Sequence, residues 1–316
     1  MKRITLGRTG ISIFPLIYGT LPLGPLQAGL SPAEGGQLIR HAFERGITML
    51  DTATMYDTYP HVREGLAGWR GEVTIATKTH AADAATARAH VERGLRELGR
   101  ERLDIVHLHG ARIADPFTER AAVFEELLRL KDEGKIGHVG LSSHYISAIR
   151  KAADHPEIEV VHPLINRTGM GILDGSAAEM AAAIAACAAA GTGVYAMKAL
   201  AGGNLISEAR ASIGYVMGLA GVHGVAIGML SPAEVEANIL LFEEGRSEEE
   251  TWQELERRRR RLRIMDQFCT GCGNCAEGCA SKALSVVDGK ATLDESLCIL
   301  CGYCAAACPQ FIIRVV

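Results

Sequence analysis

Eight short runs rich in apolar and β-branched residues recur along most of the chain, each followed by enough residues for a helix. They are LIYGT (16–20), ITMLDT (47–52), VTIATK (73–78), DIVHLH (104–109), HVGLSS (138–143), VVHPLI (160–165), VYAMKAL (194–200) and VAIG (225–228). Strands buried on both faces read as such runs, and parallel strands joined by helices close into a barrel when there are eight of them. The pattern predicts an α/β fold, a (β/α)8 barrel. Local signals agree: Ser31 and Glu34 make a capping box ahead of QLIRHAFERG, Gly46 closes that helix, and Ser231-Pro232 opens AEVEANILLFEEG. Before the first run, ITLG and ISIF flank Arg8-Thr9-Gly10, the pattern of a hairpin plugging the barrel floor.

Eight of the nine cysteines lie between Cys269 and Cys308, as CTGCGNCAEGCA and CILCGYCAAACP, each spaced CxxCxxCxxxC. That is the ligand pattern of two cubane iron–sulfur clusters, whose irons each need a soft thiolate. Three ligands come from one tight loop, and in the two-cluster ferredoxins that this spacing resembles the fourth ligates the other cluster. This assigns Cys269, Cys272, Cys275 and Cys308 to one [4Fe–4S] cluster and Cys298, Cys301, Cys304 and Cys279 to the other. Structural zinc usually takes two CxxC pairs, which is not this spacing. Disulfides fit poorly too, because MKRITLGRTG lacks the apolar core of a secretory signal and predicts a reducing, cytoplasmic location. The segment resembles bacterial two-cluster ferredoxins, which implies a small α+β domain. Cys187, within MAAAIAACAAAG, reads as a buried helix residue.

These blocks divide the chain into a barrel over 1–245, a charged linker helix over 246–264 and a ferredoxin-like domain over 265–316. The linker shows no apolar stripe wide enough for a core. A helix over 247–263 would span about 25 Å and return the chain from the barrel floor to its mouth. Arg257 to Arg261 read as a solvated face balanced by Glu248 to Glu250, or as a docking patch for a ferredoxin or other acidic electron carrier. A net charge of −4 gives no basis for a nucleic-acid or anionic-membrane partner, and no apolar run reaches the ~20 residues that span a bilayer.

In barrels the chemistry sits at the C-terminal ends of strands. Asp51 ends the second run, Tyr56 follows in DTATMY, Lys78 ends the third and His109 the fourth. Together they suit carbonyl reduction. A nearby ammonium, Lys78, is expected to lower the Tyr56 pKa; Asp51 holds that ammonium, and His109 donates a hydrogen bond that positions the carbonyl oxygen. Their joint order resembles the aldo-keto reductases, as do LGRTGISIFPLIYGT, EGLAG and DIVHLH, over about residues 1 to 240.

The resemblance implies NADH or NADPH as cofactor and a small carbonyl substrate. It implies that Ser142 and Ser143 in GLSS hold the nicotinamide amide, with His162 where the family has a glutamine. It puts Met197 where a tyrosine usually stacks on the ring, and Lys198, Leu200 and Gly202 along the pyrophosphate. In IGMLSPAEVEAN it puts Gly228 and Glu234 where NADPH-using members carry a lysine and an arginine, with Asn238 as the adenine contact. A glutamate there repels the 2′-phosphate, so NADH should bind at least as well as NADPH, unless the arginine-rich linker folds over as a displaced clamp. The leading expectation is an NAD(P)H-dependent carbonyl oxidoreductase coupled to, or regulated by, a two-cluster electron-transfer domain. The competing one is an electron-transfer or redox-interaction protein whose barrel is a scaffold or binds a different redox cofactor.

Overall fold

The computed structural model describes every residue except Met1, Arg112, Arg246, Ser247 and Phe311, together with the Glu244 side chain. Two short strands, β1 (Ile4–Thr5) and β2 (Ser12–Ile13), pair antiparallel as the expected hairpin. Eight parallel strands follow: β3 (Leu16–Gly19), β4 (Met49–Asp51), β5 (Thr74–Thr79), β6 (Leu103–Gly110), β7 (Ile136–Ser143), β8 (Val160–Pro163), β9 (Gly193–Ala196) and β10 (Gly224–Ile227). They close into a barrel in which β10 pairs with β3. Helices return the chain between them, from Pro32–Glu44, whose Ser31–Glu34 capping box is present, to Pro232–Glu244, capped by Ser231.

The barrel interior is built in layers, because side chains of one strand alternate faces with a period of two. Its lower layer is mostly apolar: Ile17, Met49, Ala76, Ile105, Val160 and Tyr195 pack together with Leu6 and Ile13 of the hairpin. The hairpin therefore plugs the floor, and Arg8 fixes it by donating to the carbonyls of Pro156, Ile158 and Ala190. Two residues further along the same strands stand Asp51, Lys78, His107, His162 and Met197. The strand pairing sets Lys78 level with His107. Polar groups therefore converge directly above a dry floor.

The segment after the barrel departs from the expected long linker helix. A helix covers only Glu249–Glu256, and its Trp252 and Leu255 are buried in the barrel's outer core. Those two side chains, three apart and hence on one face, suffice to dock it. The first two residues of the expected linker, Arg246 and Ser247, lie outside the described residues. Beyond Glu256 come five consecutive arginines, whose like charges at three- and four-residue spacing oppose a helix. The chain instead leaves the helix and enters β11 (Leu262–Ile264), which pairs antiparallel with β14 (Ile313–Val315). A second hairpin, β12 (Leu284–Val287) with β13 (Lys290–Leu293), and two short helices, Asn274–Glu277 and Tyr303–Ala307, complete a small α+β unit. Among the described residues no helix is long and apolar enough to cross a membrane.

Candidate active site

At the mouth end of the interior, Lys78 Nζ lies 2.6 Å from Asp51 Oδ1 and donates to the Thr52 carbonyl at 2.7 Å. Both side chains are buried. Burial pushes the Lys78 ammonium below its usual range while Asp51 pulls it back up. The other Asp51 oxygen accepts from the Tyr195 hydroxyl at 2.8 Å, and that hydroxyl stands 2.7 Å from His107 Nε2. Since Tyr195 spends its proton on Asp51, His107 is the donor of the second bond. His162 stacks on the Tyr195 ring at 4.0 Å and donates Nδ1–H to the Tyr195 carbonyl at 2.7 Å. Neither Tyr195 nor its link to Asp51 was anticipated; the only sequence signal is its place in the same interior register.

Tyr56 is reached differently from expectation. Lys78 Nζ sits 4.9 Å from the centre of the Tyr56 ring. The Tyr56 pKa is raised well above the ordinary phenol range, first by burial, then by Tyr303, Asp51 and Cys301. The expected lowering by Lys78 is not seen in this state, because burial, which disfavours the phenolate, dominates and the Tyr303 phenol and Asp51 carboxylate add to it. His109 is pushed down to about 3 by burial and by Lys78, so it is neutral at working pH. Its Nδ1 lies 3.3 Å from Ser142 Oγ, and its buried Nε2 has no hydrogen-bond partner among the described residues.

The cysteine-rich segment forms part of this site. Tyr303 hydrogen-bonds Tyr56 and meets the His109 ring edge-on at 6.4 Å. Tyr303 and Cys301 share a hydrophobic cluster with Leu26, Ala53 and Tyr56. Ile299 packs on Leu164 and Met197. Backbone contacts lock the loop in place: Asn204 donates to the Cys298 carbonyl at 2.7 Å and Gln27 to the Leu300 carbonyl at 3.4 Å. Lys198, half-buried and at φ 60°, feels Cys301 and Cys298, which raise its pKa against the lowering by burial.

A cavity of about 570 Å³ runs from Asp51, Tyr56 and His162, past Met197 to Gly203, to Gly228, Glu234 and Asn238. Its outer end is walled by Trp252 and Arg258 to Arg260. Of the predicted cofactor contacts, His162, Met197, Lys198, Leu200, Gly202, Gly228 and Asn238 all lie on its wall. Ser142 and Ser143 do not: Ser142 backs His109, while the Ser143 hydroxyl donates to the Gly110 carbonyl and accepts from the Tyr145 amide. The cavity's size and mixed wall suit a nucleotide cofactor, and a buried Asn238 Oδ1 with no partner among the described residues marks a place for a ligand donor.

The cysteines surround two smaller hollows, Cys269, Cys272, Cys275 and Cys308 around one and Cys279, Cys298, Cys301 and Cys304 around the other. Sulfur already accepts from the backbone there, with Ala291 N–H 3.4 Å from Cys269 Sγ and Ala283 N–H 3.3 Å from Cys279 Sγ. The donor sets fit thiolate-bound clusters, whose charge such bonds stabilise.

Comparison with known proteins places this geometry. Residues 15–210 match the model of the aldo/keto reductase family, and residues 268–312 match that of a 4Fe–4S dicluster domain. The Glycine max protein Probable aldo-keto reductase 1 is 30% identical over 207 residues, which are 55% of this chain and 58% of that protein. The match thus spans less than two thirds of that relative's length. An aldo-keto reductase-like crystal structure from Pseudomonas aeruginosa superposes with a TM-score of 0.66 at 27% identity, covering 76% of this chain and 94% of that one. The holo form of aldo-keto reductase AKR11C1 from Bacillus halodurans shares the fold, with a TM-score of 0.63 at 22% identity over 81% of this chain and 95% of its own. An eight-stranded barrel followed by a cysteine-rich segment is what these matches and the folded chain describe alike: the protein belongs to the aldo-keto reductase family and carries a 4Fe–4S dicluster domain.

Proposed function

We propose that this protein is an NAD(P)H-dependent carbonyl reductase whose active-site mouth is closed by its own iron–sulfur domain. The observation that carries the reading is the cavity of about 570 Å³ lined from Asp51 and Tyr56 to Asn238, a volume in the range of cofactor sites. A nicotinamide cofactor, when bound, supplies the hydride. Met197 and His162 would flank its ring, and the Lys198 to Gly203 turn its phosphates. His109 is neutral, and with Nδ1 accepting from Ser142 its Nε2 carries the proton, a donor for a carbonyl oxygen. Tyr56 then gives its proton to the alkoxide, with Lys78, held by Asp51, stabilising the phenolate left behind.

Tyr303 stands at the place where both Tyr56 and His109 are reached, so a carbonyl must displace its hydroxyl, and the iron–sulfur loop sets the substrate's size. The two four-cysteine sets would hold the [4Fe–4S] clusters, which exchange single electrons. A second reading rests on one observation: Cys301 and Tyr303 adjoin Tyr56. It makes the barrel the place where single electrons, delivered through a ferredoxin-type partner, reach a substrate. Anaerobic stopped-flow mixing with NADH and NADPH tests the choice. Nucleotide binding with unchanged cluster absorbance, followed by nicotinamide oxidation when a carbonyl is added, supports the reductase. No nucleotide binding supports the second reading.

A further inference from the structure

The outer end of the cavity is richer in positive charge than a glutamate at position 234 implies. The charged groups on the wall are Lys198, Arg258, Arg259 and Arg260 against Asp51 and Glu234. Asp51 is engaged by Lys78, and Glu234 by the Arg258 guanidinium and the Leu230 amide. Among the described residues Arg259 and Arg260 make no ion pair: Arg259 donates to the Glu256 and Arg258 carbonyls and Arg260 to Gln27, with Glu234 acting on Arg260 only through its field. Glu234 is thus neutralised in place, and two guanidiniums remain over.

The barrel itself cannot supply a long cation here. A Cβ at Gly228 would lie 2.2 Å from Pro22 Cγ, so the chain leaves that position empty of side chain. The linker fills the need from the other side of the cavity. Arg260 Nη1 is fixed 2.6 Å from Gln27 Oε1, and Gln27 also donates to the Leu300 carbonyl of the cysteine loop. Next to the arginines lies the N-terminus of the helix Pro232–Glu244, which favours negative charge. Asn238, one turn in, donates to the Glu234 carbonyl at 2.8 Å and keeps its buried Oδ1 unpartnered. An acceptor there suits the exocyclic amine of adenine, and guanidiniums beside it suit a phosphate on the neighbouring ribose.

We propose that Arg258, Arg259 and Arg260 form a phosphate site for the adenosine end of the nucleotide, selecting NADPH over NADH and tying the bound nucleotide to both domains. The proposal rests on the nucleotide reading above and deepens it. It also reverses the preference expected from Glu234 alone, because the carboxylate's repulsion disappears once a guanidinium pairs with it.

The test is isothermal titration of the anaerobic, cluster-loaded protein with NADPH, NADH, 2′,5′-ADP and 5′-AMP. The parent should bind NADPH at least about tenfold tighter than NADH, and 2′,5′-ADP tighter than 5′-AMP, by the scale of charge-assisted hydrogen bonds. Arg258→Ala and Arg260→Ala should each weaken NADPH roughly tenfold while moving NADH less than about threefold. Glu234→Gln, which keeps an acceptor for the Leu230 amide and releases Arg258, should tighten NADPH and leave NADH unchanged. Equal tight binding of both nucleotides, or variants that weaken both alike, would overturn the arginine site and leave the reductase standing. Failure of every nucleotide to bind would remove both.

Discussion

Tyr56 is held firmly protonated by burial, by its contact with Tyr303 and by the field of the Asp51 carboxylate. Its phenol is needed only as charge develops on the substrate oxygen. Tyr56→Phe should therefore lower turnover at least about 100-fold, the usual scale of a general acid, with nucleotide affinity nearly unchanged. Binding titrations beside single-turnover rates separate the two effects, and a variant as active as its parent would end the tetrad account. The three interior histidines make a second, independent prediction. Burial pushes His107 and His162 well below the ordinary imidazole range and His109 to about 3. Between about 3 and the ordinary histidine pKa of about 6.5 the unfolded chain binds protons that the native one excludes, so stability falls as pH drops through that window. Each histidine contributes a slope of up to about 1.4 kcal/mol per pH unit. Far-UV melts should shift steadily downward from pH 7 to 5, and His107→Gln, which keeps a donor for Tyr195, should flatten that dependence. A melting temperature indifferent to pH over this range would contradict the buried neutral state.

Among the elements, the cysteine loop and the turn at Lys198 to Gly203 decide how the halves meet. A Cβ on Gly202 would come within 1.7 Å of the Ile299 carbonyl oxygen, and one on Gly302 within 2.3 Å of the Leu26 carbonyl. Gly202→Ala should undock the loop at a cost on the order of 1–3 kcal/mol, as overpacking does. Limited proteolysis checks this: cleavage near 298–302 should accelerate while barrel fragments stay resistant, and an unchanged rate would show that the contact is not what holds the loop. The strands were legible as eight apolar runs, and Asp51, Lys78 and His109 stood out because each ends one of them, where a barrel gathers its chemistry. Tyr195 and Tyr303 did not, since their roles arise from contacts between distant segments that leave no local period. The linker was misread for the same reason. Trp252 and Leu255 look too few to be core until a barrel is beside them, and five arginines look solvated until a cavity closes over three of them.

At the scale of the whole molecule, the cysteine loop carrying Ile299, Cys301 and Tyr303 packs on the barrel beside the cavity that begins at Asp51 and Tyr56. Anaerobically prepared protein should hold about eight irons and eight sulfides, one cubane for each four-cysteine set. Cys301→Ala should lose about half of that iron; zinc in its place would overturn the cluster assignment. On the proposed mechanism a hydride crosses directly from nicotinamide to a carbonyl at Tyr56 and His109. It is tested most directly with NADPH deuterated at C4 on one face and then on the other, a panel of aldehydes and ketones under anaerobic conditions, and the alcohols read by mass spectrometry. One deuterium should appear on the carbinol carbon of the product with one of the two labelled cofactors. Alcohol free of deuterium with both, formed as cluster absorbance bleaches, would contradict the mechanism.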